Sequence, residues 1–201
     1  MYSQNSEEHY ILEYFKGQKL PLTFLEVGAF HPFTFSNTRA LAELGWRGIY
    51  IEPSPTCFES FLKEYNYSNR ITLIKAALGN KDGLVKFYDS KGDALSSTSL
   101  QHKEKWEAGY DVMFNEIEVQ MISVSSLLNG FNELSIKIDF LNLDVESTNI
   151  ELFNLFPDWF WGRLKMICIE HDSQQDYIIS KLQPFGFKEL HRNGENLIMA
   201  K

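Results

Sequence analysis

Short apolar runs that stop on a carboxylate, separated by stretches with helical spacing, constrain this chain more than any other feature. Leu22–Val27 lies between Pro21 and Gly28, Gly48–Ile51 is closed by Glu52-Pro53, and Ile71–Leu78 follows a segment with helix signals. Runs of that length and apolarity read as strands buried on both faces. The segments between them read as helices. One starts near Ser36 or Asn37 and stops at Gly45, and another is capped by Ser54 with Pro55 at its first position. The order β-α-β-α-β predicts a parallel sheet with helices on both faces. The same rhythm returns later, with strands over Phe140–Val145 and Lys165–Glu170. A helix over Ser123–Asn129 precedes the first of these. Thr148 and Glu151 form a capping box for the next helix, and Ser173 caps the one after.

Three regions depart from this rhythm. Residues 1–20 open with a helix that Ser6 caps and Gly17 ends. Residues 79–121 hold two strand-like runs, Val85–Tyr88 and Glu116–Met121, around a polar stretch from Asp89 to Asp111. A long irregular segment within one domain is usually an insertion or lid. At the C-terminus, Phe187–His191 and Asn196–Ala200 are joined through Asn193-Gly194, a tight-hairpin signal. The expected architecture is therefore one Rossmann-like α/β domain over residues 1–201. Its sheet is seven-stranded and mostly parallel, and it finishes in an antiparallel hairpin.

Composition narrows the partners. The formal net charge is −8, and Lys and Arg are scattered singly. Nucleic-acid binding rests on clustered cations, so neither nucleic acid nor an anionic membrane is an expected partner. No apolar run approaches the roughly 20 residues of a membrane span. The opening MYSQNSEEHY is polar and acidic, unlike a targeting sequence, which makes the cytoplasm the expected compartment. Cys57 and Cys168 lack metal-ligand spacing and are expected to be free, buried thiols.

In an open parallel sheet, ligands bind beyond the carboxyl ends of the strands. Those ends here carry Glu26, Glu52, Asp144 with Glu146, and Glu170 with His171 and Asp172. Gly28 permits a sharp turn after the first strand. Glu52 follows it by 24 residues, about where an acidic group accepts bonds from ribose hydroxyls. Ala29, Phe30, His31 and Pro32 replace the glycines of a pyrophosphate cradle, which counts against a dinucleotide. Carboxylates suit instead a phosphate-free, positively charged nucleoside.

Taken in order, several motifs resemble the FkbM family of S-adenosylmethionine-dependent methyltransferases. They are Ser3-Gln4, Phe24-Leu25-Glu26-Val27-Gly28-Ala29, His31-Pro32-Phe33, Phe35-Ser36-Asn37-Thr38, and Gly45-Trp46-Arg47-Gly48-Ile49 leading to Glu52-Pro53. Asp139 through Glu146 and Ile167-Cys168-Ile169-Glu170 complete the set. Two positions depart from the family's usual pattern: Glu26 stands for Asp, and Ser147 for Gly.

The resemblance implies S-adenosyl-L-methionine as cofactor, S-adenosyl-L-homocysteine as product and a class I methyltransferase fold. It implies that Glu26, Gly28 and Ala29 border the methionine part and that Glu52 holds the ribose. Ser36, Asn37 and Thr38 would serve the cofactor's carboxylate, and the strand end with Ala77 would flank the adenine. Ser36 to Thr38 could equally be plain helix caps. The expected acceptor is a small molecule or saccharide hydroxyl. A general base would then come from Asp144, Glu146 or His171, with His31 a weaker candidate. No metal is expected, although Asp144 and Glu146 together would suit magnesium. Methyl transfer to nitrogen and a non-catalytic nucleoside-binding module remain alternatives. The oligomeric state is open, a dimer included. Phe153, Phe156, Trp159, Phe160 and Trp161 are read as packing beneath the sheet, and Ser96 to Ser99 as acceptor-site wall or solvated loop.

Overall fold

The computed structural model describes residues 1–110 and 112–201. Its main sheet contains β1 (Thr23–Val27), β2 (Arg47–Ile51), β3 (Ile71–Ile74), β7 (Phe140–Leu143), β8 (Met166–Glu170), β9 (Lys188–Arg192) and β10 (Asn196–Ala200). Their spatial order is β3-β2-β1-β7-β8-β10-β9. The first five are mutually parallel, and β10 runs antiparallel to both β8 and β9. The terminal hairpin is therefore present, and its second strand is the one inserted against β8. Strand order reverses between β1 and β7, which opens a crevice beyond their carboxyl ends.

Alternation along the strands sends side chains to two cores. Leu25, Val27, Ile49, Ile51, Leu141, Leu143, Ile167 and Ile169 pack on one face. They meet α5 (Val124–Glu133), α6 (Asn149–Leu155), α7 (Asp158–Arg163) and α8 (Gln175–Leu182). Phe24, Tyr50, Phe140, Met166 and Ile198 pack on the other face. There they meet α1 (Glu7–Phe15), α2 (Arg39–Glu43) and α3 (Pro55–Tyr65). By the same alternation Glu26 and Asn142 project to this second face near the strand tips. Phe153, Phe156, Phe160 and Trp161 are buried in the first core, and Trp159 alone of that aromatic group is exposed. Both cysteines are free and buried. No described helix is long and apolar enough to cross a membrane.

Several local expectations are corrected. The run Ile71–Leu78 is not one strand. It bends at Lys75-Ala76, and β4 (Ala77–Gly79) leaves the main sheet to pair with β6 (Asn115–Ser123). β6 also pairs antiparallel with β5 (Gly83–Asp89), forming a separate three-stranded sheet. The polar stretch from Asp89 contains a helix, α4 (Leu100–Gly109), whose cap is Ser99 accepting from the His102 amide at 3.2 Å. Asp111 lies outside the described residues.

Ser6 does not cap α1. Ser3 does so instead, its Oγ accepting from the Glu8 amide while the Glu8 carboxylate accepts from the Tyr2 and Ser3 amides. Thr148 precedes α6 without a capping bond, because its hydroxyl turns back to the Val145 carbonyl. Ser173 is likewise no cap: its φ of 60° belongs to the turn after β8.

Candidate functional site

The crevice is built by backbone before any side chain enters it. Gly28 and Ala29 amides donate to the Ile51 carbonyl, the Glu52 amide to Ile74, and the Asp144 amide to Val27, all between 3.0 and 3.3 Å. The tips of β3, β2, β1 and β7 thus form one rigid rim. Gly28 has φ +77°, and a Cβ there would fall 1.6 Å from the Asp144 carbonyl oxygen. Its lack of a side chain is needed for the β1 and β7 tips to approach each other, a packing demand as strict as any a ligand makes. Left-handed non-glycine residues gather around the same rim: Phe30, Phe35, Glu146, Ser147, Asp172 and Ser173. Such conformations are held by their surroundings and concentrate at functional turns.

Glu52 is buried, and each of its oxygens is bound by an amide: Oε2 accepts from Phe30 at 2.8 Å and Oε1 from Ser54 at 2.7 Å. Burial nevertheless raises its pKa to about 7. A carboxylate oxygen has two lone pairs, so each retains room for a further donor.

Glu26 is fixed from behind. It accepts from the Thr38 hydroxyl and, at 3.3 Å, from Asn142 Nδ2. Asn142 Oδ1 in turn accepts from Asn37 Nδ2 at 3.0 Å. Burial, with no cation against it, lifts Glu26 to about 8. The chain of amides has one loose end: Asn37 Oδ1 is buried with no partner, on a residue that lines the cleft. An orphaned buried acceptor costs about 1–3 kcal/mol, so a donor is wanted there.

The acid group beyond β7 and β8 is denser. Asp144, Glu146 and Glu170 offer oxygens within 4.8 Å of one another. Burial raises all three, and each carries a second upward push from a neighbouring carboxylate; Glu170 reaches about 8. Like charges this close favour shared protons. Asn149 orients the group, donating to Glu170 at 2.5 Å and to Asp172 at 3.3 Å, and accepting from the Val145 amide. The spacing admits either a shared proton or a hard divalent cation.

The structure brings together Glu26, Gly28, Ala29, Asn37, Glu52, Ala77, Asp144 and Glu146 on one cleft. It does not bring Ser36, Thr38 or His171 to that surface. Ser36 Oγ caps α2 by accepting from the Arg39 amide, and the Thr38 hydroxyl is spent on Glu26. His171 is buried with both ring nitrogens engaged, Nδ1 by the Ser173 amide and Nε2 by the Asn193 carbonyl and Gln175. It ties the turn after β8 to the hairpin loop. His31 Nδ1 accepts from the Phe33 and Thr34 amides, a turn contact. Ser96, Ser97 and Thr98 do line the cleft, whereas Ser99 caps α4.

Sequence reasoning did not single out Glu7. It is fully buried, lines the cleft, and accepts from Asn193 at 2.7 Å and Asn196 at 3.0 Å. An acidic residue on the helix before the first strand gave no sign that the hairpin loop would meet it. Six lining residues are acidic (Glu7, Glu26, Glu52, Asp93, Asp144 and Glu146), and none of the described residues lining the cleft is Lys or Arg. Ala76, Ala77, Leu78 and Phe87 supply an apolar wall. A cation joined to a flat apolar group, without phosphates, matches this surface in charge and in polarity.

A family model described as the methyltransferase FkbM domain matches residues 26–194. Among solved structures, the chain is similar to the METTL16 MTase domain, with a TM-score of 0.51 and 13% sequence identity. That likeness covers 96% of this chain and 65% of the other, and at such identity it speaks for the fold. None of the curated proteins matches the chain.

Proposed function

The chain belongs to the FkbM methyltransferase family, and from that premise we propose that it is an S-adenosylmethionine-dependent methyltransferase acting on a hydroxyl of a small acceptor, a saccharide or similar polyol. The single observation that carries this reading is the placement of Asp144. It lies just beyond β7, beside the β1 tip where the cleft forms, and burial, joined by the neighbouring Glu146 carboxylate, raises its proton affinity. A carboxylate poised near neutral pH is what an alcohol acceptor needs, because its proton must leave as the new bond forms.

The residues fit the cofactor. Glu52 has lone pairs free for ribose hydroxyls, the Ala76–Leu78 wall suits the adenine, and Asn37 Oδ1 with Glu26 suits the ammonium of the methionine part. When bound, the sulfonium supplies a methyl group already activated for displacement. The protein's own contribution is then mainly alignment: the rigid rim fixes the strand tips, and Asp144 orients the acceptor hydroxyl and takes its proton. Glu146 and Glu170 keep that proton within the group. The absence of Lys and Arg from the described lining leaves a phosphorylated or carboxylated acceptor without a counter-charge, which favours a neutral polyol.

Methyl-labelled S-adenosylmethionine incubated with a panel of sugars, other polyols and amines tests this. Label on oxygen supports the proposal. Label on nitrogen alone, or cofactor binding with no transfer to any class, would replace it with one of the two alternatives.

A further inference from the structure

Glu146 and Ser147 stand next to each other in the left-handed region, at φ 53° and 66°. A glycine at 147 would adopt that conformation freely, so a serine there calls for an account of what its hydroxyl reaches. It lies 2.7 Å from Nδ1 of His102, on the first turn of α4. The other ring nitrogen of His102 is 3.0 Å from the Leu95 carbonyl, which can only accept. Nε2 therefore carries the proton and Nδ1 accepts from Ser147. The ring is buried, packs near Trp106 and Phe114, and burial lowers its proton affinity, which keeps it neutral. A second bond runs parallel: Ser97 Oγ donates to the Glu146 carbonyl at 2.8 Å. Ser97 itself is joined to the end of β5 through a two-way backbone pairing with Tyr88. Two strained residues of the acid turn are thus held from outside, and both holds come from the segment between β5 and β6.

We propose that His102 is a positioning residue that, through Ser147, locks the segment 90–109 to the turn carrying Asp144 and Glu146. The serines that line the cleft and the acid pair then meet an acceptor as one body. This rests on the methyl-transfer reading for its purpose, but not for its test.

Amide hydrogen exchange on the unliganded full chain reads the lock directly. Asn at 102 can place its amide oxygen, an acceptor, where Nδ1 stands, whereas the Gln amide reaches the position of Nε2, where it can serve the Leu95 carbonyl but not Ser147. His102→Gln and Ser147→Ala are expected to speed exchange at residues 145–149 and 97–102 by roughly 3- to 10-fold, the scale of one lost net hydrogen bond. His102→Asn is expected to keep most of the protection, and the His102→Gln/Ser147→Ala double variant to exchange no faster than either single one. Equal acceleration in the Asn and Gln variants, additive effects in the double variant, or unchanged exchange in Ser147→Ala would overturn the proposal. Ser147 is exposed, so its variant remains informative if a His102 variant fails to fold. Titration of the unsubstituted chain with S-adenosylhomocysteine separates the two ideas: no binding removes the functional reading while leaving the exchange result standing.

Discussion

Replacing Gly28 with Ala is the sharpest perturbation of the cleft's frame. Two costs add. A residue with a Cβ at φ +77° is strained by about 1–2 kcal/mol. The new methyl would also lie 1.6 Å from the Asp144 carbonyl oxygen and 2.7 Å from its carbon. Ordinary contact is roughly 3.5 Å, so the two tips must separate by an ångström or more. Overpacking of that kind costs about 1–3 kcal/mol. Ala restricts the unfolded chain more than Gly and returns about 0.5–1 kcal/mol. The net expectation is a loss of about 1–4.5 kcal/mol. Urea denaturation checks it, as a lower midpoint at unchanged slope. Gly130 provides the control: it lies in α5 with nothing within 4 Å of its virtual Cβ. Gly130→Ala should stabilise by about 0.5–1 kcal/mol. A Gly28→Ala loss below about 1 kcal/mol, with S-adenosylhomocysteine affinity intact, would refute the close approach of the β1 and β7 tips.

Three further outcomes follow from the same structure. Asp144→Asn should lower turnover by about 100-fold or more, and full turnover with an unchanged pH profile would exclude it as the base. The unliganded protein should lose stability as pH rises from about 4.5 to 8. The reason is that Glu52 and Glu26 have folded pKa values of about 7 and 8, above their ordinary 4.5, so in that window the folded state binds more protons than the unfolded. Thermal melts at pH 5 and pH 8 check the sign, and greater stability at pH 8 would contradict it. Trp161, fully buried against Phe153 and Phe156, should cost about 3–5 kcal/mol on replacement by Ala. Trp159→Ala, at an exposed position, should cost under about 1 kcal/mol in the same denaturation assay.

Legibility in the sequence followed the range of the interactions concerned. Strands buried on both faces announce themselves by apolar runs between punctuating residues, so β1, β2, β7, β8 and the hairpin are readable from local pattern. The break between β3 and β4 is not, since Ile71–Leu78 is apolar enough for one strand. What ends β3 is the pairing of Ala77–Gly79 with Met121–Ser123, more than forty residues away. α4 was hidden for another reason. Its residues LQHKEKWEAG carry polar groups on every side, so no apolar stripe marks it, and Ser99 was its only clear start signal.

In the site, carboxylates at strand tips were readable because charge ending an apolar run is conspicuous. Side chains whose role is set by a partner across the fold were not. Thr38 is spent on Glu26, His171 on the hairpin loop, and Glu7 gains its place only when Asn193 and Asn196 fold over it. His102 gave no sign at all, since its partner Ser147 lies 45 residues downstream.

Calorimetric titration of the unliganded protein with S-adenosylhomocysteine, alongside NAD and ATP, bears most directly on what the acidic crevice is for. Saturable one-to-one binding of the homocysteine compound is expected, lost on Glu52→Ala and unmatched by either phosphate-bearing nucleotide. Equal or tighter binding of NAD or ATP, or unaltered affinity once the Glu52 carboxylate is removed, would contradict a cleft shaped for a phosphate-free, cationic nucleoside.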